Sequence, residues 1–195
     1  MHVDTALLSD SDRLELLKLV RQSAEIALGG QPGDQSEFRH VTGSFGGVFV
    51  TFWRDGHLRG CVGSLSPTAD VMQTLPAVTQ SALKDRRFVA DPIRLAELGK
   101  LTIEISLLSD MERTTGSQEV EIGRHGILVR RQSRSGCFLP KVAIEQGWNS
   151  EQFLTECCVR KAGLPPDAWR DPQCEVFRFT ATVVSESKTA LKSNG

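Results

Sequence analysis

"GVFVTFWRDGHLRGCVGSL", residues 47–65, is the stretch whose reading decides the fold. Its first half is rich in β-branched and aromatic residues, which suit a pleated, half-buried surface. Asp55-Gly56 is a tight-turn dipeptide, and a second strand-like run follows it. The spacing predicts a hairpin of residues 48–53 with 57–62, and with it an antiparallel sheet. The second strand raises a question of its own. Gly60 and Gly63 flank Cys61, so the strand gives up side-chain packing on both sides of a cysteine.

Upstream, "SDSDRLELLKLVRQSAEIALGG" opens on Ser and Asp, where an N-cap and a first turn belong. Leu14, Leu17, Ala24 and Leu28 follow at helical spacing, and Gly29-Gly30 ends the helix. Residues 31–40, broken by Pro and Gly, read as a loop. Downstream, Val71, Met72, Leu75, Val78, Thr79, Ala82 and Leu83 trace one helical face over residues 68–85, and Pro76 should kink or restart that helix. "KLTIEISLL" is a strand with Leu101, Ile103, Ile105 and Leu107 on one face and Thr102, Glu104 and Ser106 on the other. Residues 125–140 read as a second hairpin with a polar tip. Asn149 and Gln152 form a capping box for a helix to about residue 161, ended by Gly163 and Pro165-Pro166. "CEVFRFTATVV" alternates Phe177, Phe179, Ala181 and Val183 as one strand. The order helix, hairpin, helix, strand, hairpin, helix, strand predicts an α+β fold with mostly antiparallel pairing. The expected organisation is a single domain over residues 1–185 with a flexible tail at 186–195.

Composition removes several function classes. Twenty-three basic and 24 acidic residues leave a net charge of −1, which argues against a large nucleic-acid footprint. The basic run "RHGILVRRQSRSG" reads as a solvated hairpin edge. With no signal-peptide pattern and no apolar run of membrane-spanning length, the expectation is a soluble, cytoplasmic chain without a membrane role. Five cysteines without a C-x-x-C pair or a repeating spacing argue against a disulfide framework, a zinc site or an iron–sulfur cluster, so no metal and no cofactor is expected. There is no phosphate-binding loop, dinucleotide fingerprint or H-E-x-x-H.

Cys61 therefore carries the sharpest chemistry. Strand alternation puts His57, Arg59 and Cys61 on one face, with Leu58 and Val62 on the other. An arginine two residues away favours the thiolate, which is the nucleophilic form. Against this stands the ordinary reading of a free cysteine as a small buried hydrophobe, with its glycines marking a bulge or a tight crossing. Cys157 and Cys158, on a helix, read as core. His125, between Gly123 and Gly126 in sequence, is either a base or a loop histidine satisfied by backbone. Glu104 faces either solvent or a cleft.

Taken together, "GVFVTF", "LRGCVGSL", "SALKDRRF", "IEISLLS", "IGRHGILV", "CFLPKVAIEQGW" and "FLTECCVRKAGLP" resemble the AMMECR domain family. Microbial members of that family are called protein A of the AmmeMemoRadiSam system, and "LRGCVG" is the family's signature. The resemblance implies an α+β domain of two lobes, with a cleft lined by the signature segment. It also implies association with Memo-like and radical-SAM proteins. Carried over residue by residue, the implied cleft positions are Arg59, Gly60, Cys61, Arg87, Glu104, His125 and Pro140. In the catalytic version Cys61 is the nucleophile, His125 the base and Glu104 the orienting acid. Arg59, Gly60, Arg87 and Pro140 then bind a small-molecule substrate. The alternative is a non-catalytic binding or adaptor domain whose "LRGCVG" segment shapes a groove. Two departures from the family pattern are Arg86, where many members have proline, and Lys141, where microbial members commonly have glutamine.

Overall fold

A computed structural model describes residues 8–31, 38–68 and 70–186. The loop expected at 31–40 and the tail expected at 186–195 lie mostly outside the described residues. Glu186, the first residue of that expected tail, is tied down: Arg21 Nε and Nη2 donate to its carboxylate at 2.8 and 2.7 Å. The chain divides into two compact units, Met1–Leu108 with Thr182–Gly195, and Ser109–Ala181.

In the first unit a four-stranded sheet has the order β2-β1-β3-β8, with β1 Gly47–Arg54, β2 His57–Ser64, β3 Thr102–Leu108 and β8 Ala181–Ser185. The β1–β2 hairpin is the expected one. Its turn residues Asp55 and Gly56 have φ of 49° and 78°, the left-handed pair that a two-residue hairpin turn needs. β1 pairs antiparallel with both β2 and β3. Val48, Val50 and Phe52 of β1 and Ile103, Ile105 and Leu107 of β3 are fully buried on one face, as strand alternation requires.

Helices α1, Asp10–Ala27, and α2, Val71–Leu83, contribute to the same core through Leu16, Leu17, Val20, Ala24, Val71, Leu75, Val78 and Ala82. Burying each leucine or valine among them contributes roughly 1.5–3 kcal/mol. Ser9 caps α1 in a capping box with Asp12. The stripe of α1 is rotated from the expected one, with Leu14 44% exposed and Leu16 fully buried, because adjacent leucines at 16 and 17 both turn inward. The helix α2 runs through Pro76 without ending there: Pro76 is exposed, and the buried stripe continues through Leu75 before it and Val78 after it.

The second unit carries the sheet β4-β7-β5-β6, built from Glu112–Thr114, Glu175–Phe179, Gly126–Arg131 and Arg134–Phe138. A short helix α3, Leu95–Leu98, belongs to the first unit, while α4, Pro140–Gln146, and α5, Ser150–Cys157, belong to the second. Asn149 and Gln152 make the expected capping box. After α5 the turn widens into a π-helix at Cys158–Ala162, ended by Gly163 at φ 63°. The single strand expected over 174–184 is instead two strands in different sheets. Thr180 separates them, exchanging hydrogen bonds with Ser109 through its N–H to Ser109 Oγ and its carbonyl to Ser109 N–H, both at 2.9 Å. The α+β class and the antiparallel pairing hold.

Candidate functional site

The question posed by the glycines has a packing answer. A Cβ on Gly60 would lie 2.3 Å from the carbonyl oxygen of Ala82, so the last turn of α2 passes directly against the strand there. A Cβ on Gly63 would lie 2.3 Å from the Phe49 ring, which is folded over it from the neighbouring strand. Packing explains the missing side chain at both positions, and Cys61 is held between two contacts that only glycine permits.

Cys61 itself is half-buried and free. Three hydrogen bonds fix it. Its N–H donates to Asp85 Oδ2 at 2.9 Å, its carbonyl accepts from Arg87 Nη2 at 3.1 Å, and its Sγ accepts from Thr51 Oγ1 at 3.2 Å. The Asp85 carboxylate is nearly buried and also takes the Arg87 N–H at 3.0 Å and Nη2 at 2.5 Å. Burial pushes this carboxyl up, but the Arg87 guanidinium and the main-chain N–H groups of Cys61 and Arg87 outweigh it and hold it down to about 2. In return, the Asp85 carboxylate raises Arg87 above its ordinary value, and Cys61 adds in the same direction. Asp85 caps the short 3₁₀ turn Arg86–Phe88, so one carboxylate folds the turn, anchors the arginine and holds the cysteine backbone. Arg86 occupies the first position of that turn, where a proline serves equally because the N–H there needs no partner in the turn.

The register also places Glu104. Cys61 pairs with Thr51, and Thr51 with Glu104, so the three form one row across β2, β1 and β3. They lie on the face opposite the buried valines and isoleucines. Strands are spaced by ~4.8 Å, which puts the Glu104 backbone roughly 10 Å from that of Cys61, with Thr51 between.

Arg59 does not share this arrangement. The β1–β2 register shifts between Phe52 and Trp53, whose partners are Gly60 and Leu58, so Arg59 is the extra residue of a bulge. The alternation that would align it with Cys61 is broken there. Its guanidinium instead donates to Glu97 Oε1 at 2.8 Å and to the Asp91 carbonyl at 3.1 Å. The guanidinium that meets Cys61 is that of Arg87.

His125 and Pro140 lie in the second unit. His125 is 9% exposed, and its Nδ1 accepts the Glu121 N–H at 3.0 Å. Burial, then Arg178 and Arg124, push its pKa down, so the ring is held neutral with one nitrogen committed to a loop. Pro140 opens α4 at its first position. Cys157 and Cys158 are fully buried, as expected for core. Burial pushes the Cys157 thiol well up and Cys158 up to about 11, and Cys157 Sγ donates to the Gly136 carbonyl at 3.3 Å.

Two members of the cluster, Thr51 and Asp85, escape a reading of the sequence. Thr51 looks like an ordinary strand threonine until the register pairs it with Cys61. The signal for Asp85 was present, an Asp two residues before Arg in "DRRF", the spacing of a self-capping turn. Among the described residues, no group of three or more His, Cys, Asp or Glu is placed to hold a metal ion, and no helix is long and apolar enough to cross a membrane.

The family model that matches this chain is that of AMMECR1, over residues 17–184. Protein MK0488 of Methanopyrus kandleri is 40% identical over 153 residues, which is 73% of this chain and 72% of that protein. Protein NEQ441 of Nanoarchaeum equitans is 33% identical over 182 residues, 89% of this chain and 99% of its own length. The crystal structure of the uncharacterised protein PH0010 from Pyrococcus horikoshii is similar at a TM-score of 0.77 and 33% identity, covering 86% of this chain and 88% of that one.

Proposed function

The chain belongs to the AMMECR1 family, and from that premise we propose that it uses Cys61 as a positioned thiol nucleophile acting on a small substrate that carries an anionic group. The observation that carries this reading is the frame around a half-buried sulfur: main chain held on both sides by Asp85 and Arg87, Sγ held by Thr51. A nucleophile needs its attacking atom fixed and its thiolate stabilised by nearby donors. The Thr51 hydroxyl is such a donor. Arg87, whose side chain is half exposed, supplies the cation for the anionic group. Glu104, in the same row, would orient a substrate amine. In this reading Arg59 is a structural member, bound to Glu97, and His125 keeps its loop. Working with Memo-like and radical-SAM proteins is carried into the proposal on family grounds, and co-purification from cells tests that part separately.

Limiting iodoacetamide added to the folded protein at neutral pH, followed by peptide mass spectrometry, tests the thiol. The expected result is modification of Cys61 at least ten-fold faster than Cys157, Cys158 or Cys174. Reaction no faster than at those buried thiols would remove the nucleophile.

A second reading rests on the glycines, both of which are explained by packing. In it, the "LRGCVG" segment shapes a binding surface and the sulfur is incidental. Cys61→Ser would then leave partner binding intact.

A further inference from the structure

β2 is an edge strand of its sheet, with β1 on one side only. The outward N–H and C=O groups of an edge strand form a template for another extended backbone unless something covers them. At Cys61 the cover is a pair of side chains. Asp85 takes the N–H and Arg87 the carbonyl, as a neighbouring strand would. Those two bonds fix the direction in which Cys61's backbone groups point, away from β1.

Backbone groups two residues apart on a strand point the same way. Gly63 pairs with Phe49 just as Cys61 pairs with Thr51, and the bulge lies at the other end of the hairpin. The N–H and carbonyl of Gly63 therefore point outward too, and no group among the described residues takes them. Gly63 has no side chain to screen them, because the Phe49 ring occupies the space a Cβ would need. The side-chain cover stops one step short of this position.

The residues on either side of Asp85 in the chain are basic. Lys84 and Arg86 are exposed and make no ion pair among the described residues, and they flank the Asp85 that touches Cys61. Arg87 is half exposed, and Asp85, the acidic residue between them, is already neutralised by it.

We infer that the β2 edge at Gly63 takes the backbone of an extended acidic peptide segment. The peptide's C=O accepts the Gly63 N–H, its N–H donates to the Gly63 carbonyl, and its carboxylates meet Lys84 and Arg86, the cations that the Asp85–Arg87 pair leaves over. This is strand addition with charge selecting the partner. It does not depend on chemistry at the sulfur.

The test uses the full-length ¹⁵N-labelled protein and the blocked pentapeptide acetyl-Asp-Glu-Val-Glu-Asp-amide, with an all-lysine counterpart around the same valine as control. The acidic peptide should move the Gly63 amide proton downfield and slow its hydrogen exchange at least ten-fold, while the basic one does neither. Lys84→Ser combined with Arg86→Ser should weaken the binding at least five-fold and leave the Gly63 shift at saturation unchanged. Cys61→Ser should bind as the parent does, which separates this result from that of the thiol. Absence of binding, or shifts confined to residues 84–87, would overturn the inference. So would a Gly63 amide already protected in the free protein, or protected only as protein concentration rises, since a second copy would then hold the edge.

Discussion

At Cys61 the residue that decides the local chemistry is two elements away. Asp85 accepts from the Cys61 N–H and from three nitrogens of Arg87, main-chain N, Nε and Nη2. Its carboxyl lies at about 2, below the ordinary 3.8, and the depression is a stability statement. A carboxylate depressed by folding stabilises above its unfolded value and loses that contribution as pH falls through its folded value. Asp85 therefore contributes about 2 kcal/mol above pH ~4, lost between there and pH ~2. Urea denaturation should show the parent losing that much more stability than Asp85→Asn over the acid range; equal acid loss in both proteins would contradict it. The Thr51 hydroxyl makes a second prediction at this scale. Thr51→Val removes the donor to Sγ without changing shape much, so iodoacetamide should modify Cys61 several-fold more slowly, with peptide mass spectrometry as the readout. Neither residue was legible as a site member, because a strand threonine and a turn aspartate are among the commonest residues in those positions. What was legible was the cysteine, and its surroundings needed the register.

At the scale of elements, Gly60 is where α2 meets β2. Gly60→Ala would press a methyl against the Ala82 carbonyl, which is backbone and cannot swing aside. The expected cost is ~1–3 kcal/mol, measured as a lowered urea midpoint at unchanged slope. Pro76 offers the reverse case. It sits on the exposed side of α2 and withholds an N–H from the helical ladder, a defect of up to ~3 kcal/mol in a helix interior. Replacing it frees the unfolded chain by under about 1 kcal/mol, so Pro76→Ala should raise stability by ~1–2 kcal/mol in the same measurement. Proline inside a helical pattern predicted a kink or a restart, and the helix does not restart because the hydrophobic stripe continues on both sides of it. The Arg59 reading failed for a related reason. Strict alternation holds only in a ladder without insertions, and a bulge leaves no mark in composition.

At the scale of the molecule, one side chain draws distant parts of the first unit together. Arg21 of α1 donates to Glu186 after β8 and to the carbonyls of Leu98 and Leu101, and Glu186 also accepts the Ile103 N–H. Arg21→Met should strand these acceptors and lower stability by ~2–3 kcal/mol in thermal or urea unfolding, whereas Lys18→Met on the exposed side should change it little. The α+β class, the first hairpin and the capped helices were readable because each rests on local chemistry: turn residues, caps and periodicity. The division of residues 174–184 between two sheets was not, since a continuous apolar alternation carries no sign of which sheet each half joins. Long-range pairing decided it, as it decided the row of Cys61, Thr51 and Glu104.

Arg87, not Arg59, is the arginine that holds the Cys61 main chain beside the sulfur, and comparing alkylation in two variants most directly tests its part in the proposed nucleophile. With iodoacetamide at neutral pH, Arg87→Met should slow modification of Cys61 at least five-fold, and Arg59→Met, in protein shown to be folded, should leave it within about two-fold of the parent. The opposite order, with Arg59→Met slow and Arg87→Met unchanged, would contradict the assignment of the frame around the sulfur.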